Sequence, residues 1–127
     1  MALYARTNGT QTTNSGSFVP IPDLTLNLPE GVNSFALVIL NLPNPYATGR
    51  DYPGGTFGIS VNGAVSPVIA SFTYNEQMPQ SPGRIPTTLV LAVPLANKPQ
   101  IVHGMWSGVR GSTVLIDSPA TLSAIFD

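Results

Sequence analysis

The chain contains no cysteine and only one histidine. Without cysteine there is no disulfide framework, no thiol nucleophile and no thiolate metal site. A lone imidazole, His103, falls short of the several His, Cys or carboxylate ligands that a zinc or iron centre needs. Charge is scarce as well. Charged residues make up 9% of the 127, against roughly 25% in an average soluble domain. A surface covered mainly by neutral groups favours association with other chains. The formal net charge of -1 gives no electrostatic pull towards nucleic acid or an anionic membrane, so neither is expected as a partner. The longest apolar stretch, Phe35 to Leu40, is too short to cross a bilayer, and no membrane insertion is expected. The opening residues Met1-Ala2-Leu3-Tyr4-Ala5-Arg6 lack the basic stretch followed by an apolar run that marks a secretory signal. The expectation is a protein made in the cytoplasm that acts at the cell surface or outside the cell.

Enzyme motifs are missing too. There is no G-x-S-x-G elbow for a serine nucleophile, no Walker-type phosphate loop and no calcium loop of closely spaced acids. His103 lies in the strand-like run Ile101-Val102-His103-Gly104-Met105-Trp106 with no acidic neighbour in sequence, and a lone strand histidine is more often structural than catalytic. These absences point to a binding protein with no cofactor.

Proline (13) and glycine (12) are plentiful and spread along the chain. They leave no window of twelve residues with an uninterrupted apolar helical period. Short apolar runs between turn residues recur instead, and these predict an all-β fold. The expected strands are Ser17–Ile21, Leu24–Leu28, Phe35–Leu42, Thr56–Val61, Val65–Tyr74, Thr87–Val93, Gln100–Trp106, Ser112–Ile116 and Thr121–Phe126. Asn62-Gly63 is the clearest hairpin signal. About nine short strands in one domain suggest a sandwich or jelly roll spanning residues 1–127. Its first 17 residues, rich in Thr, Asn and Gly, read as a loosely held N-terminal arm.

Two strands break the alternation of a half-exposed sheet. Phe35-Ala36-Leu37-Val38-Ile39-Leu40 is apolar on both faces, and Leu89-Val90-Leu91-Ala92-Val93 nearly so. Either a loop covers the second face or another subunit packs against it. The scarcity of charge favours the subunit.

The polar residues with a chemical story lie in loops. Four of the five cations are arginines, and an arginine fork can grip adjacent oxygens such as vicinal hydroxyls. Arg84 sits in the stiff loop Gln80-Ser81-Pro82-Gly83-Arg84-Ile85-Pro86. Arg110 sits in Gly108-Val109-Arg110-Gly111-Ser112, seven residues before Asp117, and the two could pair across a strand end. Solvated arginines and a turn-capping aspartate are the plain reading. Placed beside Tyr46, Tyr52 and Tyr74, the same residues have the chemistry of a sugar site, with donors for hydroxyls and an aromatic face for the ring.

The run Leu37-Val38-Ile39-Leu40-Asn41-Leu42-Pro43-Asn44-Pro45-Tyr46-Ala47-Thr48-Gly49 resembles the tumour-necrosis-factor-like, fucose-binding domain found at the N-terminus of Burkholderia superlectins. The resemblance continues through Phe72-Thr73-Tyr74, Gly83-Arg84-Ile85-Pro86, Trp106-Ser107-Gly108-Val109-Arg110-Gly111-Ser112, Ile116-Asp117-Ser118 and Leu122-Ser123-Ala124-Ile125-Phe126. It covers roughly residues 20 to 126. It implies a jelly-roll homotrimer with calcium-independent fucose pockets between protomers, and fucosylated glycans on cell surfaces as partners. By motif, Thr73, Tyr74, Ser81 and Arg84 would form one wall of the pocket, and Tyr46, Arg110, Asp117 and Ser118 would complete it from the adjoining chain. Thr56 stands where the family has a tyrosine, and Pro82 where it has a threonine. Both changes bear on which fucosylated oligosaccharide fits. A tumour-necrosis-factor-like module that grips a protein, and a structural jelly-roll subunit, are the rival readings.

Overall fold

The computed structural model describes all residues, 1–127, as eleven strands and no helix. In chain order they are β1 (Ala2–Arg6), β2 (Gln11–Thr13), β3 (Val19–Leu28), β4 (Phe35–Leu42), β5 (Tyr46–Thr48), β6 (Gly54–Val61), β7 (Ala64–Thr73), β8 (Thr87–Pro94), β9 (Gln100–Val109), β10 (Thr113–Ile116) and β11 (Thr121–Ile125). Two four-stranded antiparallel sheets, ordered β1-β11-β4-β8 and β3-β9-β6-β7, face each other, and a three-stranded sheet β2-β10-β5 lies at one end. The chain crosses repeatedly between the two large sheets, which is jelly-roll connectivity. The all-β expectation is met.

The core lies between the facing sheets and is built by alternation. In β4, Ala36, Val38, Leu40 and Leu42 point inward and are fully buried, against Phe57, Ile59, Val102 and Trp106 of the opposite sheet. The sequence reads Pro22-Asp23 as a turn between two strands, but the structure carries one strand, β3, through it. A register shift between Pro20 and Thr25, with Asp23 at φ 68°, inserts three extra residues into β3, since Pro20 faces Met105 and Thr25 faces His103. That bulge is why Ile21 and Leu24, at odd spacing, are both buried. Asn62 (φ 52°) and Gly63 (φ 85°) make the expected two-residue turn from β6 to β7.

The N-terminal segment is not loose. β1 pairs with β11 from Ala2↔Ile125 to Arg6↔Thr121, and β2 pairs with β10. Leu3 and Ala5 pack on the core, and Thr7 is fully buried with its Oγ1 accepting from the Ala120 amide at 3.0 Å. A short strand with one small apolar residue in two carries little sequence signal; its place at a sheet edge supplies the order.

The double-faced apolar strands also find an explanation. No loop covers the outer face of β1-β11-β4-β8. The register lays Ala2, Ile125, Leu37 and Ala92 in one row and Tyr4, Ser123, Ile39 and Val90 in the next. Leu37, Val90 and Ile125 are 37%, 49% and 53% exposed, and Phe35 is 60% exposed beside them.

Candidate functional site

Loops gather at the end of the sandwich where β4 finishes. The β4–β5 link (43–45), the long β7–β8 loop (74–86) and the β10–β11 link (117–120) meet there, and the β9–β10 turn lies at the same end. The first three bring Tyr46, Tyr74, Arg84, Asp117 and Ser118 together within one chain. Tyr46, Asp117 and Ser118, expected to come from an adjoining chain, thus stand beside Arg84 of their own, because the links before β5 and after β10 fold onto the β7–β8 loop. Arg84 is the centre. Its Nη1 donates to Asp117 Oδ1 at 2.8 Å and its Nη2 to Oδ2 at 2.9 Å, a bidentate pair, and Nη1 also donates to the Asn44 carbonyl at 3.2 Å. The guanidinium carbon sits 4.1 Å from the centre of the Tyr46 ring, within cation–π range. These contacts use the terminal edge of the guanidinium. Its other edge, Nε–H and the second Nη2 proton, makes no bond within the chain, and the side chain is 43% exposed. That edge holds two parallel donors, the geometry that suits a pair of neighbouring oxygens. The hydrogen bond to Asp117 raises the Arg84 pKa above its already high value, so the cation persists at every physiological pH.

Tyr74 fixes the loop that carries Arg84. Its hydroxyl donates to the Gly83 carbonyl at 2.6 Å and accepts from the Ala47 amide at 3.2 Å, so one side chain ties β5 to the β7–β8 loop. The Ile85 amide, donating to the Pro45 carbonyl at 2.9 Å, adds a second tie. Burial raises the Tyr74 pKa above its ordinary 10.0, with the Ala47 hydrogen bond pulling the other way.

The pairing of Arg110 with Asp117, open on sequence grounds, does not form. The two residues flank β10, and a strand rises about 3.3 Å per residue, which separates its ends beyond side-chain reach. Asp117 is held by Arg84. Arg110 turns to the β5–β6 loop, its Nε donating to the Asp51 carbonyl at 2.9 Å and its Nη2 to the Tyr52 carbonyl. Arg110 (φ 50°) and Gly111 (φ 73°) form the tight turn between β9 and β10, and Tyr52 also has positive φ, 46°. Backbone in this region concentrates at sites where the surroundings hold it in place. Gly54 and Gly108 permit the close approach of strands here: a Cβ on Gly54 would lie 2.0 Å from the Phe72 carbonyl oxygen, and one on Gly108 2.3 Å from that of Ser112.

The remaining candidates stand apart from the Arg84 cluster to different degrees. Ser118 belongs to it, its Oγ accepting from Asn44 Nδ2 at 3.0 Å. Ser81 and Thr73 are exposed with hydroxyls that make no bond within the chain, and Pro82 is half-buried in the same loop as Arg84. Thr56 lies two residues into β6, bonded through Oγ1 to Ser71 Oγ at 2.9 Å. His103 lies in β9, away from these loops, with Nδ1 2.9 Å from Thr25 Oγ1. No three His, Asp or Glu side chains gather as metal ligands would. Sequence reasoning missed Asn44, which touches two members of the cluster; its position between Pro43 and Pro45, in a link held stiff, was the available signal.

The two surface depressions, each about 310 Å³, lie at the other end of β4, one beside Phe35, Leu37 and Phe126 and one beside Glu30 and Val32. Over Arg84 and Tyr46 the single chain offers an open shelf.

Against known families, residues 7–125 match the model described as Bc2l-C, N-terminal domain. The chain belongs to the Bc2l-C N-terminal domain family. The match takes in every residue of the Arg84 cluster as well as Thr56 and Arg110. No curated protein sequence matches the chain. Among the solved structures to which the chain is similar at low identity are the following three. One is latent PorU from Porphyromonas gingivalis (TM-score 0.48, 13% identity), with 95% of this chain covered but only 13% of PorU. Another is the carbohydrate-binding module CBM36 in complex with calcium and xylotriose (TM-score 0.44, 11% identity, 100% of this chain and 99% of that one). The third is the Eiger TNF from S. frugiperda (TM-score 0.39, 9% identity, 97% and 90%).

Proposed function

We propose that this chain is a carbohydrate-binding lectin domain that recognises fucose and fucosylated glycans without calcium, in pockets completed between protomers of a trimer. The observation that carries the reading is the state of Arg84: locked by Asp117 and the Tyr46 ring, with two parallel donors left open to solvent. A fixed pair of N–H groups grips two adjacent sugar oxygens without first losing side-chain freedom, which is where preorganisation raises affinity. Membership of the Bc2l-C N-terminal family supports the lectin assignment, and the resemblance to fucose-binding superlectin domains supports the sugar. The open shelf and the uncovered apolar face of β1-β11-β4-β8 support the trimer, because packing that face against a second copy removes exposed Leu37, Val90 and Ile125 from water. In this arrangement Thr73, Ser81, Pro82 and Arg84 of one protomer face Arg110 of its neighbour across the pocket, and Thr56 bears on which oligosaccharide fits.

One sugar on an open surface binds weakly, and a millimolar site is worth about 4 kcal/mol. Three pockets on one trimer that engage a cell surface together raise the avidity without new contacts. The domain then works at the cell surface or outside the cell, where fucosylated glycans are displayed. A glycan array probed with the purified protein, with and without a calcium chelator, tests the reading. Binding confined to fucosylated glycans and indifferent to chelator is expected. Binding lost with chelator removes the calcium-independent pocket, and an array with no bound glycan removes the lectin reading in favour of a protein partner.

A further inference from the structure

Asn44 touches the Arg84 cluster twice and through different atoms. Its main-chain carbonyl accepts from Arg84 Nη1 at 3.2 Å, and its side-chain Nδ2 donates to Ser118 Oγ at 3.0 Å. Ser118 directly follows Asp117, the carboxylate that holds the same guanidinium. Asn44 therefore closes a ring of contacts: Asn44 carbonyl, Arg84, Asp117, Ser118 and back to the Asn44 side chain. Pro43 and Pro45 flank it, fixing φ on both sides, so the link has little freedom of its own to lose. We infer that Asn44 is a positioning residue, which locks the Asp117–Ser118 turn against Arg84 and so fixes the direction in which the open guanidinium edge points.

The lock has a second consequence. Because Asn44 Nδ2 donates to Ser118, the Ser118 hydroxyl acts there as acceptor, and its own proton stays free. Arg84 Nε–H, Arg84 Nη2–H and Ser118 O–H are then three donors presented by one rigid group. A ligand that meets them does so with acceptor oxygens. Without Asn44, the Ser118 proton has no fixed direction, and Asp117 is held only through Arg84.

The effect on binding rests on the lectin reading, but the lock itself is measurable without sugar. With only four arginines in the chain, the guanidinium NMR signals of Arg84 are separable. In the wild type, the bidentate pair should slow rotation of its Nη groups. Asn44→Ala should speed that rotation about fivefold, the weight of one hydrogen bond, with the thermal midpoint held within about 3 °C as for other exposed substitutions. Should Asn44→Ala disturb the fold further, Ser118→Ala removes the same bond from the other side and should speed the rotation equally. On a fucosylated ligand, Asn44→Ala should weaken binding by about fivefold, and the Asn44→Ala/Ser118→Ala pair should be no weaker than Ser118→Ala alone, since the two act through one contact. Arg84 signals unmoved by both single substitutions, or fully additive losses in the double variant, would overturn the inference. A wild type that binds no glycan sinks the lectin reading instead, and the Arg84 signals then decide the role of Asn44 by themselves.

Discussion

Two surfaces of this molecule are left unexplained by its core, and they are built in opposite ways. The outer face of β1-β11-β4-β8 is made by strand alternation: its rows of Leu37, Ile39, Val90 and Ile125 follow from register, and each row is nearly free of charge. The Arg84 shelf is made by loops that are far apart in sequence, with Asn44, Tyr74, Arg84 and Asp117 held by hydrogen bonds across 9 to 40 residues. The first surface is apolar and needs a partner to leave water; the second is polar, and its centre is satisfied within the chain except for one edge of Arg84 and the Ser118 hydroxyl proton. On the proposed function, the difference means that affinity for another copy and affinity for a ligand are carried by separate parts of the fold, joined only if assembly completes the pocket.

The largest expected effect breaks that join. Leu37→Asp places a charge in the middle of the apolar face but leaves the core untouched. A buried, unpaired charge costs several kcal/mol, so the variant should sediment as a monomer of 13.3 kDa and lose glycan binding with its shelf residues intact. A monomeric Leu37→Asp that still bound the glycan would separate the two surfaces for good. Arg84→Ala should act on the shelf alone. Loss of hydrogen bonds to a charged group is worth about 10- to 100-fold in affinity, with the trimer mass unchanged by light scattering.

Tyr74→Phe tests the support beneath the shelf. It deletes the hydroxyl between Gly83 and Ala47 and leaves a carbonyl and an amide without their partner, so chemical denaturation should show a loss of about 1–3 kcal/mol. Affinity should fall less than in Arg84→Ala. The smallest effect concerns pH. A tyrosine whose folded pKa is raised above 10.0 favours the fold as long as it is neutral. Its contribution is fully present below the unfolded value and is lost as pH rises through the folded one. The thermal midpoint of the wild type should therefore fall more steeply above about pH 10 than that of Tyr74→Phe. Parallel curves would place the burial of Tyr74 outside the stability of the shelf.

The legibility of the sequence follows the same division. Phe35–Leu42 is read with its correct bounds, because a continuous apolar run between turn residues is visible in a single strand, while its two apolar faces leave open whether a loop or another subunit covers the second. β1 and β5 are invisible for the converse reason: short pieces such as Tyr46–Thr48 are ordered by the strands beside them and have no period of their own. At the shelf, the residue types were legible and the partners were not. Arg84, Asp117 and Tyr46 stand out as a scarce charge pair and an aromatic. That Asp117 meets Arg84 and not Arg110 depends on where β10 puts its two ends, which is a property of three-dimensional reach and not of spacing in sequence. Asn44 went unnoticed because an asparagine between two prolines reads as a turn, and its role lies in what the turn touches.

The most direct test is co-sedimentation of the protein with a chromophore-labelled fucosylated oligosaccharide across a dilution series. The account predicts that the label travels only with a species of about 40 kDa, three chains of 13.3 kDa each, and is released as that species dissociates. Label that travels with the monomer, or never binds the trimer, would contradict it.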